Sequence, residues 1–297
     1  MKIHVINTGY FKLDGGAMFG VVPKTIWNKS NPADENNLCN WAMRCLLIEE
    51  GDRRILIDAG IGDKQDARFF GHYYLNGSDS LEGSLQTAGF SADDITDVFL
   101  THLHFDHCGG CIRRAGDKLV PVFKNADYWS NKKHWDWAVF PNDREKASFL
   151  KENVLPIQET GRLRFVENPA DEEGPEVDGN TTDDYRLAVA PFTENIAIRF
   201  AGGHTESMML PQISYKGRTI VFAADLLPSA GHLPIPYVMA YDMFPLKTLK
   251  EKKSFLQEAA ENNYILFFEH DPVNECCEVQ ATEKGVRLKR AFKLEDI

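Results

Sequence analysis

Long apolar runs are missing from this 297-residue chain. Although 43% of its side chains are hydrophobic, no uninterrupted stretch approaches the roughly 20 residues that a membrane-spanning helix needs. No membrane partner is expected. Basic residues are also in deficit: 33 Lys and Arg stand against 44 Asp and Glu, a net charge of −11. Phosphate contacts need clustered cations, so nucleic acid is not expected as a partner either. The N-terminal MKIHVINTGYF enters a strand pattern at once, without the basic region and apolar core of a secretory signal, and reads as cytoplasmic. Collagen-like, disordered and low-complexity signatures are absent. Cysteine is too sparse for a disulfide framework in that compartment, so Cys39, Cys45, Cys108, Cys111, Cys276 and Cys277 read as free thiols. Cys108 and Cys111 form a CxxC, half the thiolates of a structural zinc site, and read as small buried residues at the start of a helix.

What is present is a mixture of strands and helices along the whole length. MRCLLIEE (43–50) and RRILIDAG (53–60) flank Gly51 and Asp52 as a hairpin. Residues 80–89 read as a short helix, DVFLTH (97–102) as a buried strand, and 124–154 as helical with a load of aromatics, Tyr128, Trp129, Trp135, Trp137 and Phe140. NPADEEGPEVDGNTTDDY (168–185) is the best loop candidate. NIAIRFAGGH (195–204), SMMLPQISYKGRTIVFAAD (207–225) and NYILFFEHD (263–271) repeat the theme of strands closing on His or Asp. Pro245 starts a helix over 246–261, with Leu249, Leu256 and Ala260 on one face and Phe255 and Ala259 nearby. The two halves resemble each other, which suggests two facing sheets covered by helices within one domain, 1–297.

Histidine is scarce, nine in all, yet LTHLHFDHCGGC (100–111) places His102, His104 and His107 around Asp106 directly after an apolar strand. So much imidazole and carboxylate is costly to bury unless something compensates it, and a metal ion is the usual compensation. Three further strand ends present His204, Asp225 and His270. Seven nitrogen or oxygen donors exceed what one tetrahedral zinc can use and suit two ions sharing a carboxylate. Side chains two apart point the same way beyond a strand, so His102 and His104 reach one ion while Asp106 and His107 turn toward another.

HLHFDH (102–107) resembles the HxHxDH motif of the metallo-β-lactamase superfamily, and the later His204, Asp225 and His270 match that family's remaining ligands in order. The resemblance implies an α/β fold, a four-layer αβ/βα sandwich with a dinuclear site. It implies that His102, His104 and His204 hold one metal, that Asp106, His107 and His270 hold the other, and that Asp225 bridges. Asp58 matches a supporting aspartate. DGGAMFGVVPKTIW (14–27) and DLLPSAGHLPIPYVMAYD (225–242) resemble the branch of quorum-quenching N-acyl homoserine lactonases and methyl parathion hydrolases. Where those lactonases carry a carbonyl-polarising tyrosine, this chain has Pro228, and His232 is the candidate substitute.

By this resemblance Met18, Phe19, Trp27 and Tyr237 are expected to line an acyl pocket, and two Zn2+ are the expected cofactors, with manganese, iron and cobalt accepting the same donors. The implied reaction is attack of a metal-bridging hydroxide on an ester-type bond, that of a lactone, with Asp106 carrying the proton. Thioester or phosphotriester hydrolysis, or a non-catalytic metal-binding role, stand as alternatives. The expected partner is a small-molecule substrate, with homodimer formation left open.

Overall fold

The computed structural model describes residues 1–172 and 185–297, in two compact units: 1–12 with 41–166, and 13–40 with 167–297. Most of the acidic stretch expected to be a loop lies outside the described residues. Among the described residues, no helix is long and apolar enough to cross a membrane.

The first unit is built on strands β1 (Lys2–Asp14), β2 (Leu38–Glu50), β3 (Arg53–Ile57), β4 (Asp97–Phe99), β7 (Asp127–Ser130) and β8 (Leu163–Phe165), in the sheet order β1-β2-β3-β4-β7-β8. A separate hairpin pairs β5 (Ile112–Ala115) with β6 (Lys118–Pro121). The expected hairpin forms, Leu46 opposite Ile57 through Glu50 opposite Arg53, turning at Gly51 with φ of 58°. From β3 onward the pairings are parallel, so β3 and β4 deliver their C-terminal ends side by side. That geometry brings Asp58 beside the histidine loop.

Two expectations change here. Residues 124–154 are not helical throughout, because Tyr128 and Trp129 lie on β7, paired to β4 on one side and β8 on the other. Helices follow only at Lys132–Val139 and Lys151–Glu159. A pleated slot between two strands overrides the local pattern, and the Trp129 indole donates to Asp97 at 2.8 Å. Nor do Cys108 and Cys111 start a helix: Phe105–Cys108 makes one turn that ends at Cys108, and Gly109–Cys111 makes a tighter one. Gly109 and Gly110 press on the backbone at Ile61 and Ala59, whose carbonyls a Cβ would meet at 2.1 Å. All six cysteines are free and buried, and burial pushes the Cys108 thiol up to about 12, so this CxxC fills space.

The second unit carries a seven-stranded sheet, β15-β14-β13-β12-β11-β10-β9. Its strands are β9 (Val189–Pro191), β10 (Ile196–Ala201), β11 (Met208–Tyr215), β12 (Arg218–Phe222), β13 (Ile265–Phe267), β14 (Cys276–Thr282) and β15 (Gly285–Phe292). All neighbours are antiparallel except β12 and β13, and the parallel pair again aligns two C-terminal ends. The β11–β12 turn uses Lys216 and Gly217 at φ of 48° and 74°, the left-handed pair that tight hairpins need. The helix Pro245–Glu261 lies against β14 and β15 and buries Thr248, Glu251, Lys252, Phe255, Leu256 and Ala259. Leu249 and Ala260, expected on the inward face, are only half-buried. The inward face is rotated from the apolar one and carries an adjacent acid and base.

Candidate metal centre

In the first unit, β4 ends at Phe99 and the loop after it carries His102, His104, Asp106 and His107, all buried. Asp58, at φ of 57° just beyond β3, organises them. Its carboxylate accepts the Thr101 amide at 2.8 Å, the Thr101 hydroxyl at 2.7 Å and the His107 Nδ1–H at 3.1 Å. Because the Thr101 hydroxyl hydrogen is spent on Asp58, His102 Nδ1 donates to that hydroxyl at 3.1 Å. His104 Nε2 donates to Glu145 at 2.9 Å, and the Trp137 indole holds the other Glu145 oxygen at 2.6 Å.

These anchors settle the tautomers. His102 keeps a lone pair on Nε2 and His104 on Nδ1, yet those two nitrogens face each other at 3.0 Å. Two lone pairs at that distance repel unless a cation lies between them. His107 Nε2 similarly turns toward Asp106 Oδ2 at 3.8 Å. Tyr73 and Phe69 pack their rings on Phe105, at centroid distances of 4.7 and 5.4 Å. Burial and the Asp106 charge push the Tyr73 hydroxyl up to about 12, so it remains a proton donor.

In the second unit, His204 follows β10 through Gly202 and Gly203, Asp225 follows β12 after Ala224 at φ of 41°, and His270 follows β13. The Asp225 carboxylate is shared: Oδ2 lies 3.1 Å from His204 Nε2 and Oδ1 3.1 Å from His270 Nε2. His204 Nδ1 is held by Asp242 at 2.8 Å. Asp271, next to His270, accepts the amides of Ala230, Val273 and Asn274. The donor set is that of divalent-ion sites, with His102, His104, His107 and His204 each braced from behind. The residues present fit a resident metal.

His232 differs from its expected role. It is buried, with Nδ1 at 2.8 Å from the Ser229 hydroxyl and Nε2 at 2.9 Å from the Met18 carbonyl. Burial pushes its pKa down to about 3, so the neutral ring donates from Nε2 to Met18 and accepts from Ser229. With both nitrogens committed it braces the loop, and no hydrogen is left for a substrate carbonyl. Met18, Phe19 and Trp27 are also buried, at no more than 2% exposure, and form the inside of a wall rather than an open lining. The Phe19 ring is stacked between Trp27 (5.1 Å) and His232 (4.4 Å), with the half-buried Tyr237 edge-on at 6.1 Å. Sequence reading passed over Glu145, Asp242, Thr101 and Tyr73. Asp242 closes the quoted stretch 225–242, but no spacing rule ties it to His204.

Known proteins share this fold. A model described as the metallo-beta-lactamase superfamily matches residues 44–270. An N-acyl homoserine lactonase of Bacillus cereus is 25% identical over 130 residues, 40% of this chain and 46% of the lactonase, so the chain spans about half of that relative's length. A probable metal-dependent hydrolase from Staphylococcus aureus superposes with a TM-score of 0.84 at 26% identity, over 100% of this chain and 98% of that one. AidC, a dizinc quorum-quenching lactonase solved with a product, superposes with a TM-score of 0.75 at 21% identity, over 99% and 97%, a likeness of fold alone. The expected α/β fold is the one these proteins share. With the family match covering most of its length, this chain belongs to the metallo-β-lactamase superfamily.

Proposed function

We propose that the protein is a metal-dependent hydrolase opening a lactone, with residues 1–297 acting as one domain. In this reading His102, His104 and His204 hold one divalent ion, Asp106, His107 and His270 a second, and Asp225 serves both. The observation that carries it is the shared Asp225 carboxylate, which offers a separate oxygen to each of two imidazoles. Such ions, when bound, lower the pKa of water from about 15.7 toward about 7 and polarise a carbonyl oxygen; zinc is the ion we favour.

The chain's own groups do the rest. Asp58, Glu145 and Asp242 hold the imidazoles in the tautomers that present lone pairs. Asp106 takes the proton of the attacking water at its carboxylate and returns it to the departing alkoxide. Tyr73, protonated and packed on Phe105, is the hydroxyl we assign to the substrate in place of His232. Lactones are favoured because the relatives named above include lactonases and because an aromatic wall is present. Pro228, standing where the lactonase resemblance calls for a tyrosine, favours a second reading, a thioester or phosphotriester.

The test is elemental analysis of protein purified without chelator, followed by a panel of lactones, thioesters, phosphotriesters and β-lactams. Two ions per chain with fastest turnover of lactones is expected. A reproducible metal content near zero after supplementation would sink the dinuclear reading, and preference for another bond class would sink the lactone.

A further inference from the structure

The helix Pro245–Glu261 turns Glu251 and Lys252 onto its buried face, each 1% exposed. Buried charge is costly unless hydrogen bonds compensate it, so an adjacent acid and base there need a reason. Glu251 accepts the amides of Gly202 at 2.7 Å and Gly203 at 2.9 Å, immediately before His204. Lys252 Nζ donates to the carbonyls of Pro234 at 2.9 Å and Tyr237 at 2.8 Å, with that of Ile235 at 3.5 Å. Burial draws the Lys252 pKa down to about 7, with the Asp242 carboxylate opposing it. An apolar residue would fill the same space without that penalty, but it would take the Lys252 donor from the Tyr237 carbonyl and leave that of Pro234 with the Tyr237 amide, at 3.0 Å, in place of two donors.

The segment so held has no regular structure of its own between Pro234 and Ala240, and it forms one side of the aromatic wall. Tyr237 meets Phe19 edge-on, the Ala240 amide donates to the Ala17 carbonyl at 2.8 Å, and the Val238 carbonyl lies so close to Gly20 that a Cβ there would be 2.5 Å away. Its far end is tied to the ligand loop, since the Met243 amide donates to the His204 carbonyl at 2.9 Å. One helical turn therefore grips both the His204 turn and the wall.

We propose that Lys252 is a specificity-determining positioning residue: its ammonium fixes the 234–237 backbone, and so sets Tyr237, the half-buried face of a wall backed by Phe19 and Trp27, against which the apolar part of the substrate rests. What the wall receives rests on the proposed function; that Lys252 sets it does not. Glu251 acts separately, on the turn that carries His204.

The experiment compares K252M with wild type by amide hydrogen exchange, metal content and steady-state kinetics along a series of acyl homoserine lactones. K252M is expected to exchange about tenfold faster over 233–240, with β11 and β12 unchanged and metal content at the wild-type level. KM for the longest acyl chain should rise about tenfold with kcat within about twofold, and K252R should recover part of both effects. E251Q should show the converse, weaker metal retention with 234–237 exchanging normally. Wild-type exchange over 233–240 in K252M overturns the proposal, as does faster exchange with an unchanged KM. Should K252M fail to fold, Y237A reads the same wall from its half-buried side, and an unchanged KM there overturns it. A wild type that opens no lactone sinks the proposed function instead, and the exchange result, which needs no substrate, then decides Lys252.

Discussion

Glu145 shows how much of the proposed metal site rests on residues that would touch no metal. It accepts the His104 Nε2–H and is itself held by the Trp137 indole, so one carboxylate sets both the tautomer and the ring angle of a proposed ligand. Glu145→Gln keeps the shape but offers a weaker acceptor, and metal affinity should fall about 10- to 100-fold; competition against a chromophoric chelator measures it, and unchanged affinity removes Glu145 from the site. Tyr73 is the proposed counterpart on the substrate side. Tyr73→Phe removes only the hydroxyl, so kcat/KM should fall roughly 10- to 100-fold with metal content unaltered, and wild-type turnover would remove Tyr73 from the reaction.

Elements rather than single residues decide where the second unit's donors lie. Gly203 lets the His204 turn approach the helix Pro245–Glu261 so closely that a Cβ would meet the Thr248 amide and hydroxyl at 2.4 Å. Backbone cannot yield as a side-chain tip can, so Gly203→Ala should cost about 2–4 kcal/mol in a chemical melt, whereas a change under about 1 kcal/mol would show the contact to be soft. On the sheet's far side, Glu278 of β14 is ringed by Arg290, Arg218 and Lys289 at 2.8, 2.6 and 3.3 Å. The Arg290 bond above all, with Arg218 and Lys289, pulls its pKa from 4.5 to about 2. A carboxyl whose folded pKa is depressed contributes stability that is fully present above 4.5 and lost as pH falls toward 2. Wild type should therefore exceed Glu278→Gln by roughly 1–3 kcal/mol near neutrality, with the gap closing below about pH 4. A gap independent of pH would mean that the ring of cations does not depend on the charge.

At the scale of the whole molecule the proposal makes a thermodynamic demand. The seven proposed ligands are all buried, so ions that bind them only in the folded chain must stabilise it. An ion present at one hundred times its Kd adds about 2.7 kcal/mol to the folded state. Calorimetry should show the melting temperature rising with zinc and falling with chelator. A melt that shifts with neither zinc nor chelator would contradict metal binding to the folded chain.

The amino-acid order by itself determined what lies close along the chain. The β2–β3 and β11–β12 hairpins, the helix starting at Pro245 and the spacing of His102, His104, Asp106 and His107 are local patterns, legible because turn chemistry and side-chain period act over a few residues. Candidate donors at the ends of β10, β12 and β13 were legible for the same reason, each closing an apolar run. Tertiary structure decided the rest. It made Tyr128 and Trp129 part of a strand because β4 and β8 leave a slot for them, and it turned Glu251 and Lys252 inward because backbone amides and carbonyls there need partners. It also chose the braces: Asp58 meets His107 across 49 positions, Glu145 meets His104 across 41, and Asp242 meets His204 across 38. No local spacing links such pairs, since a carboxylate becomes a brace only when folding removes the water that would otherwise hydrogen-bond both partners.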